Sequence, residues 1–402
     1  MMNKEKRRVP KLRFPEFTED WEQRKLESLF TKYEDKVNTP NSGYWRLGLR
    51  SHCKGTFHTY IDAGNELDTA EMNRVKSGNF ILNITFAWER ALAVTNDEDQ
   101  DKLVSHRFPQ FKPNSDLVID FFKHTLMDKR FKHHLELSSP GGAGRNKVLK
   151  VADMLKYELL VPSIKEQNEI SSLLNHVDYI ITLHQRKLDN LKLKKKALLQ
   201  KLFPKNGERY PELRFPGFTD AWEQRKADYI FKSVTDKGYP ELPVLSASQE
   251  LGMVYRDQNG IDIQHDKKNE TSYKRVLPGQ FVIHLRSFQG GFAYSEIEGI
   301  TSPAYTVISF KHSSEQYGLF WKHVFKSETF IKRLETITYG IRDGRSISFS
   351  DFKSLLLQYP SFSEQKLIGD LIAVIERGIT LHQRKLDHLQ LQKKALLQQM
   401  FV

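Results

Sequence analysis

The sequence has a single cysteine, Cys53, among its 402 residues. One cysteine excludes an internal disulfide framework and any zinc site built from cysteines. The sequence also lacks an apolar run near the roughly 18–20 residues that cross a bilayer. Its basic start, MMNKEKRRVPKLRF, has no apolar segment of the kind that a signal peptide needs. We therefore expect a cytoplasmic protein in a reducing compartment.

Motifs for autonomous catalysis are missing as well. There is no GxxxxGK[ST] phosphate loop, no GxGxxG after a predicted strand and no HExxH zinc motif. The Asn/Asp-Pro-Pro-aromatic motif of amino-methyltransferases is also absent, and no pair of acidic residues recurs in matched positions. We therefore predict that the chain is not an enzyme by itself and has no catalytic, cofactor-binding or metal-binding residues of its own.

What the sequence has in excess is positive charge. It contains 62 Lys and Arg against 50 Asp and Glu, which gives a formal net charge of +12. Hydrophobic residues make up 39% and aromatic residues 11%, which is enough to build cores for two or three domains. A positive balance of this size favours a polyanionic partner, although basic scaffold proteins that bind an acidic protein remain an alternative.

The chain contains two copies of one unit of about 200 residues. Residues 12–25 read LRFPEFTEDWEQRK and residues 213–226 read LRFPGFTDAWEQRK, while TLHQRKLD occurs at residues 182–189 and again at 380–387. The middle segments, near residues 30–140 and 231–340, share only scattered residues. A repeated frame with different middle segments is expected of a two-part recognition device, because a duplicated enzyme would keep matched chemistry.

The C-terminal part of each copy has the pattern of a long helix. Apolar residues recur with steps of three and four that average near 3.5, the coiled-coil period. Because two copies in one chain are most simply related by a two-fold axis, we predict an antiparallel helix pair, with residues 11–25 near the C-terminal end of the second helix. The predicted interface consists of Ile170, Val177, Ile181, His184, Leu188, Leu191, Leu198, Ile368, Ile375, Ile379, His382, Leu386, Leu389 and Leu396. The two histidines are expected to pack and form hydrogen bonds in the interface, with a pH sensor or a ligand-binding role as the alternative.

The predicted fold class is α+β. Two mixed α/β recognition domains, related by a pseudo-two-fold axis, are separated by two long antiparallel coiled-coil helices. The expected boundaries are residues 1–160 for the first domain and 161–204 for the first helix, then 205–358 for the second domain and 359–402 for the second helix. Within the domains, residues 78–83, 279–284 and 304–310 are predicted strands, and residues 116–137 and 317–334 are predicted amphipathic helices.

Basic and amide side chains in the middle segments are candidates for DNA contact. Arginine pairs with guanine edges and glutamine with adenine edges, and glycine-rich loops at residues 138–147 and 338–345 can approach DNA closely. An exposed, solvated turn is the alternative at each position. The candidates are Arg46, Arg50, Lys54, Arg90, His106, Arg107, Arg145 and Lys147 in the first copy, and Gln249, Arg256, Arg286, Gln289, Tyr305, Arg342 and Arg345 in the second.

The whole architecture resembles the specificity subunit of type I restriction–modification systems. Two variable domains are each followed by a near-repeated long helix that opens with P-x-x-x-E-Q, at Pro162–Gln167 and Pro360–Gln365. The WEQRK and LHQRKLD repeats look like those of the Gram-positive branch of this family. The resemblance covers nearly the whole chain.

This resemblance implies a function. Each domain would read one half of a bipartite, asymmetric DNA target, while the helix pair would set the spacer and dock two methyltransferase subunits. Restriction and motor subunits would join through the methyltransferase, and S-adenosylmethionine, ATP and Mg²⁺ would bind only to those partners. An acidic inhibitor that mimics DNA is a further conceivable partner, whereas a membrane is not expected. The alternatives are a free-standing DNA-binding regulator and a scaffold protein that binds an acidic partner.

Overall fold

The structure, a computed structural model, describes residues 9–141, 147–205, 207–248, 251–256, 267–284, 291–335 and 347–401. The chain divides into two compact units. Unit 1 comprises residues 1–183 and 386–402, and unit 2 comprises residues 184–385. Each of the two long helices therefore gives one part of its length to unit 1 and the other part to unit 2.

Unit 1 is built on mixed sheets and short helices. The strands and helices are β1 Glu22–Lys25, α1 Leu26–Leu29, β2 Phe30–Tyr33, β3 Lys36–Asn38, β4 Tyr44–Leu49, β5 Thr56–Ile61, β6 Glu71–Arg74, β7 Phe80–Leu82, β8 Leu92–Val94, β9 Leu103–Val104, β10 Gln110–Pro113, α2 Ile119–Thr125, α3 Lys129–Leu137, α4 Val151–Met154, β11 Glu158–Val161 and α5 Ile164–Lys201. The sheets have the strand orders β1-β11, β2-β10-β7-β8 and β3-β6-β9-β4-β5. The last of these carries the β4–β5 hairpin.

Unit 2 repeats part of this arrangement. Its strands and helices are β12 Glu223–Lys226, α6 Ala227–Ile230, β13 Phe231–Val234, β14 Leu245–Ser248, β15 Gly252–Tyr255, β16 Lys274–Val276, β17 Phe281–Ile283, β18 Phe292–Tyr294, β19 Gly299–Thr301, β20 Thr306–Phe310, α7 Gly318–Val324, α8 Glu328–Glu335, α9 Phe349–Phe352, β21 Leu356–Tyr359 and α10 Phe362–Met400. The orders β12-β21 and β13-β20-β17-β18 match two sheets of unit 1, whereas β14-β15 and β16-β19 replace the third. The repeated frame thus carries different middle segments.

The cores of both units are rich in aromatic side chains, and the long helices complete them. In unit 1, Phe122 packs between Phe30 and Phe80, with ring centroids 4.8 and 5.1 Å away. Ile170 of α5 and Met400 of α10 are buried in the same cluster. Because an isolated small sheet cannot bury its apolar face, the helix pair is part of the fold of each unit and not an appendage.

The repeated Glu-Gln dipeptide explains how each long helix is attached. Glu166 and Gln167 are buried at the start of α5, with 1% and 0% exposure. The Gln167 side chain donates to the Pro162 carbonyl at 2.9 Å and accepts from the Val118 amide at 2.7 Å. Gln365 makes the same two kinds of bond in unit 2, to the Pro360 carbonyl and from the Tyr317 amide. Each glutamine amide thus binds a carbonyl just before its long helix and a backbone N–H at the start of a short helix, α2 or α7, where such donors have no partner within the helix.

The helices pair in antiparallel fashion within each unit. In unit 1 the Asp178 carboxylate lies 2.5 Å from Lys393 Nζ, and in unit 2 the Glu376 carboxylate lies 2.7 Å from Lys195 Nζ. His184 Nδ1 and His382 Nδ1 are 2.8 Å apart in unit 2. The α+β fold class with two long antiparallel helices is therefore confirmed.

Every residue predicted to line the helix pair is buried or half-buried. Leu12 N–H donates to the Gln399 carbonyl at 2.9 Å in unit 1. This contact confirms that the segment of residues 11–25 lies at the C-terminal end of α10. The matching bond in unit 2 runs from Leu213 N–H to the Lys201 carbonyl.

Two predicted amphipathic helices are each divided in two, so the single-helix predictions were wrong. Residues 116–137 form α2 and α3, and residues 317–334 fall on α7 and α8. The reason is capping: the Asp128 carboxylate accepts from the Arg130 amide, and Ser327 Oγ accepts from the Phe330 amide. Each of these side chains starts a new helix at the N-cap position, although the apolar period continues through it.

In the described part of the chain, none of the helices combines the length and the apolar character needed to cross a bilayer.

Candidate functional site

The β4–β5 hairpin of unit 1 forms one wall of a cleft. In its register Arg46 faces Thr59 and Gly48 faces Phe57, so Arg46, Gly48 and Phe57 share one side of the hairpin. The Phe57 ring lies flat on Gly48, where a Cβ would collide with the ring. Glycine at this position thus allows an aromatic wall next to the Arg46 guanidinium.

The other walls come from distant parts of the sequence. The cleft has a volume of about 650 Å³ and is also lined by Asn83 and Thr85 and by the loop from Ser105 to Phe108. His106 and Arg107 in this loop are exposed. The fold therefore brings Arg46, His106 and Arg107, all predicted from the sequence, to one concave surface.

The arginines of this cleft differ from four other arginines in unit 1. Arg46 and Arg107, like His106, have no ion-pair partner among the described residues, although Asp68 and Glu89, which accepts from Ser51 Oγ, also line the cleft. Unpaired arginines held on a concave surface are available to an anionic ligand. The arginines paired with a carboxylate in the same unit are Arg13 with Glu166, Arg24 with Asp116, Arg74 with Asp35 and Arg130 with Asp128.

The remaining predicted residues of unit 1 lie around the hairpin or apart from it. The Arg50 guanidinium stacks on the Phe57 ring at 5.2 Å, and Lys54 is exposed in the hairpin turn. Lys147 Nζ lies 4.9 Å from the Trp88 ring. Arg90 has a buried Nε without a partner among the described residues, and its Nη1 contacts the Met127 carbonyl at 3.4 Å. Arg145 lies outside the described residues.

Unit 2 has a basic cluster on its variable sheets. Lys237 forms an isolated antiparallel bridge with Lys274, the first residue of β16. Lys274 Nζ donates to the Tyr305 carbonyl at 2.5 Å, and the Tyr305 ring lies 6.1 Å from the His284 ring. Burial, together with the nearby Lys237, lowers the pKa of Lys274. The exposed Lys237 and the half-buried Lys274 thus place two positive charges side by side on this surface.

The structure brings only part of the predicted set in unit 2 together. Tyr305 belongs to the cluster around Lys274, and Arg256 has buried Nε and Nη1 atoms without a hydrogen-bond partner in the described ranges. The amide of Arg256 donates to the Val244 carbonyl. The other candidates, Gln249, Arg286, Gln289, Arg342 and Arg345, lie outside the described residues.

Sequence reasoning missed Lys237 and Lys274 in unit 2 and Phe57 in unit 1. The two lysines are 37 positions apart in sequence and meet only through strand pairing, so no local motif marks them. Phe57 opposite Gly48 does carry a signal, because a glycine across from an aromatic residue is a recurrent pair in hairpins. This pair could have been predicted by aligning the two predicted strands as a hairpin and reading which residues face each other.

The outer sides of the long helices expose leucines at repeat-related positions. In unit 1 these are Leu183 and Leu391, together with Tyr179, and in unit 2 they are Leu193 and Leu381. The four leucines are between 44% and 68% exposed. In the heptad they occupy positions on the side opposite the seam, which in an isolated pair of helices is normally polar.

Within the described residues, no group of three or more His, Cys, Asp or Glu side chains is placed to hold a metal ion.

Comparisons with known proteins are consistent with this architecture. Residues 18–193 match the family model described as the type I restriction modification DNA specificity domain. The S subunit of a type-I restriction-modification system from M. genitalium is 12% identical, with a TM-score of 0.58 over 98% of this chain and 99% of that chain. This likeness shows a shared fold. The HsdS subunit from Thermoanaerobacter tengcongensis is 15% identical over 95% of this chain and 96% of that chain, with a TM-score of 0.44.

Proposed function

We propose that this chain belongs to the family of type I restriction modification DNA specificity domains, whose model matches residues 18–193. In this proposal its two units each read one half of a bipartite, asymmetric DNA target. The observation that carries this proposal is the cleft of unit 1, where Arg46, His106 and Arg107 converge without carboxylate partners among the described residues. Two unpaired arginines on a concave surface, with a histidine beside them, fit the sugar–phosphate ridge of duplex DNA.

The difference between the two units supports two unlike half-sites. The same frame carries the β3-β6-β9-β4-β5 sheet in unit 1 and the β14-β15 and β16-β19 pairs in unit 2. Because base contacts depend on which side chains reach the groove, two different surfaces read different sequences. The cationic cluster of unit 2 would be the counterpart of the cleft, with Lys237 and Lys274 beside Tyr305.

The partners and cofactors follow from this assignment. Two methyltransferase subunits would bind the chain, and restriction and motor subunits would bind through them. S-adenosylmethionine, ATP and Mg²⁺ would bind to those partners, so this chain contributes recognition only. We place the complex in the cytoplasm, where its DNA is. An acidic protein that mimics DNA would compete for the same cationic surfaces.

The helix pair is proposed to set the spacer and to dock the methyltransferases. The exposed leucines support docking, because Leu183 and Leu381 occupy one repeat position and Leu193 and Leu391 another. A protein that binds the exposed leucines of one long helix therefore finds leucines at the same positions of the other long helix. Arg186, Arg384, Lys187 and Lys385 flank these leucines, which suits a partner helix with acidic flanks.

The proposed function is tested by mapping methylated adenines in a host that carries this chain and its methyltransferase. We expect a two-part motif with a fixed spacer. With Arg46→Gln and Arg107→Gln combined, we expect at least about tenfold weaker binding of the purified complex to a cognate duplex, because each lost contact costs about 1–3 kcal/mol. If both arginines touch phosphates, the slope of log K against log salt falls by about 2.

The matched control is Arg24→Gln with Arg130→Gln, which removes the same charge from arginines already paired with Asp116 and Asp128. Its affinity and salt slope should stay close to those of the unmodified chain. Equal losses in both double variants would indicate a general charge effect and not a site. Methylation without any shared sequence in the unmodified chain would overturn the proposed function.

The docking surface is tested with Leu183→Lys and Leu381→Lys in one chain. Because both leucines are exposed on the helices, we expect unchanged helix content by circular dichroism but at least about tenfold weaker methyltransferase binding, as for loss of a central apolar contact. The measurement is the dissociation constant of the purified components. Leu356→Lys, an exposed leucine on β21, is the control. Unchanged methyltransferase affinity in the helix variant would contradict docking on this face.

A further inference from the structure

The face of the β4–β5 hairpin opposite Arg46 carries an exposed aromatic pair at the end away from the hairpin turn. Trp45 and Tyr60 are direct cross-strand neighbours, with ring centroids 5.3 Å apart in an edge-to-face arrangement. They remain 50% and 47% exposed. The Tyr60 ring lies against Gly43, where a Cβ would collide with the ring. Large aromatic rings left this exposed in one place point to a binding surface.

The charge around this pair selects the kind of partner. Between residues 44 and 61 the chain has three Arg and Lys residues and two histidines but no Asp or Glu. Four aromatic residues stand in the same segment. Cations interleaved with aromatic rings suit a nucleic acid. The methyltransferase is proposed to bind a different surface, the exposed leucines of the long helices. DNA is therefore the occupant that fits this hairpin.

The position of the hairpin in the sheet also suits DNA. β5 is the outermost strand in the order β3-β6-β9-β4-β5, so the hairpin forms one margin of the sheet. Successive residues of β4 point to opposite sides, so Arg46 and Trp45 lie on different faces of the hairpin. Farther along the face of Trp45, Leu47 is buried in the core, so only the part of this face with Trp45 and Tyr60 is exposed. A two-stranded ribbon of this kind has the width that the major groove accepts. Its cationic side can meet a phosphate strand while its aromatic side meets base edges.

We propose that Trp45 and Tyr60 are specificity-determining residues of unit 1 and make apolar contact with base edges in one DNA half-site. Such contacts distinguish thymine, through its methyl group, from the other bases. The proposal rests on the proposed DNA-specificity function and adds the residues that set the sequence. The matching hairpin of unit 2 has a different surface: Tyr255, opposite Leu245, is partly buried against the core.

The test maps methylated adenines in a host that carries the methyltransferase with Trp45→Ala, with Tyr60→Ala or with the unmodified chain. We expect the base preference to relax by about 5- to 100-fold at one or two positions of one half-site, the range of a single lost base contact. The other half-site and the spacer should stay unchanged. Because both side chains are neutral, the salt slope of DNA binding should also stay unchanged.

Controls separate the outcomes. Tyr229→Ala removes a tyrosine of unit 2 that is 64% exposed, more than Tyr60, and should leave both half-sites unchanged. Trp45→Gln provides a second variant if the alanine variant is poorly soluble. An identical motif in both hairpin variants overturns this proposal and leaves the proposed function intact. Loss of methyltransferase binding in these variants overturns it too, because the hairpin would then be a protein interface. Absence of any motif with the unmodified chain overturns the proposed function and this proposal together.

Discussion

Replacement of Glu166 by alanine is expected to lower the free energy of unfolding by about 3–5 kcal/mol, the usual cost of breaking a buried ion pair. The Glu166 side chain is 1% exposed and holds the Arg13 guanidinium through two hydrogen bonds of 2.7 and 2.8 Å. The hydrogen bond to Glu166 is the main reason why the pKa of Arg13 is raised. Alanine leaves this guanidinium without its partner and detaches the N-terminal segment from the start of α5.

Unit 2 offers a matched comparison. The Arg214 guanidinium binds Glu364 in the same way, with both hydrogen bonds at 2.8 Å. The difference lies in the tryptophans: Trp21 Nε1 donates to Glu166 at 3.3 Å, whereas Trp222 Nε1 is buried without a partner among the described residues. Removal of Glu166 therefore also leaves an indole donor unsatisfied, so Glu166→Ala should cost about 1 kcal/mol more than Glu364→Ala.

The measurement is urea denaturation followed by circular dichroism at pH 7. Glu169→Ala, an exposed glutamate one turn along the same helix, is the control and should change stability by less than about 0.5 kcal/mol. Equal midpoints for the Glu166 and Glu169 variants would show that the ion pair does not anchor the segment.

The long helices are the part of the fold that the sequence predicts best. Their apolar period is local, so ten successive seam positions suffice to predict a helix, and the structure places α5 at Ile164–Lys201 and α10 at Phe362–Met400. The dipeptide Glu166–Gln167 was recognisable as a repeated motif. Its partners were not, because Arg13 and Val118 are 153 and 49 residues away in sequence. The internal repeat therefore marked Glu166 and Gln167 as structurally important, but it did not show which residues they contact.

The candidate site was predictable only residue by residue. Arg46 and Arg107 could be named because they are basic residues in variable segments, yet nothing local shows that they line one cleft. Their meeting depends on the non-local order β9-β4-β5 in one sheet. Trp45 was passed over, since an aromatic residue in a strand is usually core, and only the hairpin register shows it paired with Tyr60 on an exposed side.

Acidification is expected to destabilise the protein through two buried histidines in equivalent helices. Burial lowers the pKa of His323 in α7 and of His124 in α2 from 6.5 to about 4. Both Nε2 atoms are buried without a hydrogen-bond partner among the described residues. Between pH 6.5 and about 4 the unfolded chain binds a proton at each histidine that the folded chain does not bind. The free energy of unfolding therefore decreases as the pH is lowered through this window, by up to about 3 kcal/mol for His323.

The charged groups around His323 determine the pH range in which its titration can be separated from that of carboxylates. Glu376, Lys322, Lys195 and Lys326 act on it, and the pKa of Glu376 is itself lowered to about 2, chiefly by its bond to Lys195 acting against burial. A lowered carboxylate pKa contributes stability that is lost only below pH 4.5. Denaturation midpoints at pH 7, 6, 5.5 and 5 therefore report mainly on histidines.

In this range His323→Gln should remove about half of the pH dependence, because glutamine stays neutral and His124 remains. His133→Gln is the control, since the His133 side chain is 71% exposed on α3. The result that would contradict the argument is a pH dependence in the His323 variant equal to that of the unmodified chain. Buried neutral imidazoles would then not be the reason for acid sensitivity, and the surroundings of His323 in α7 would have to tolerate a charge.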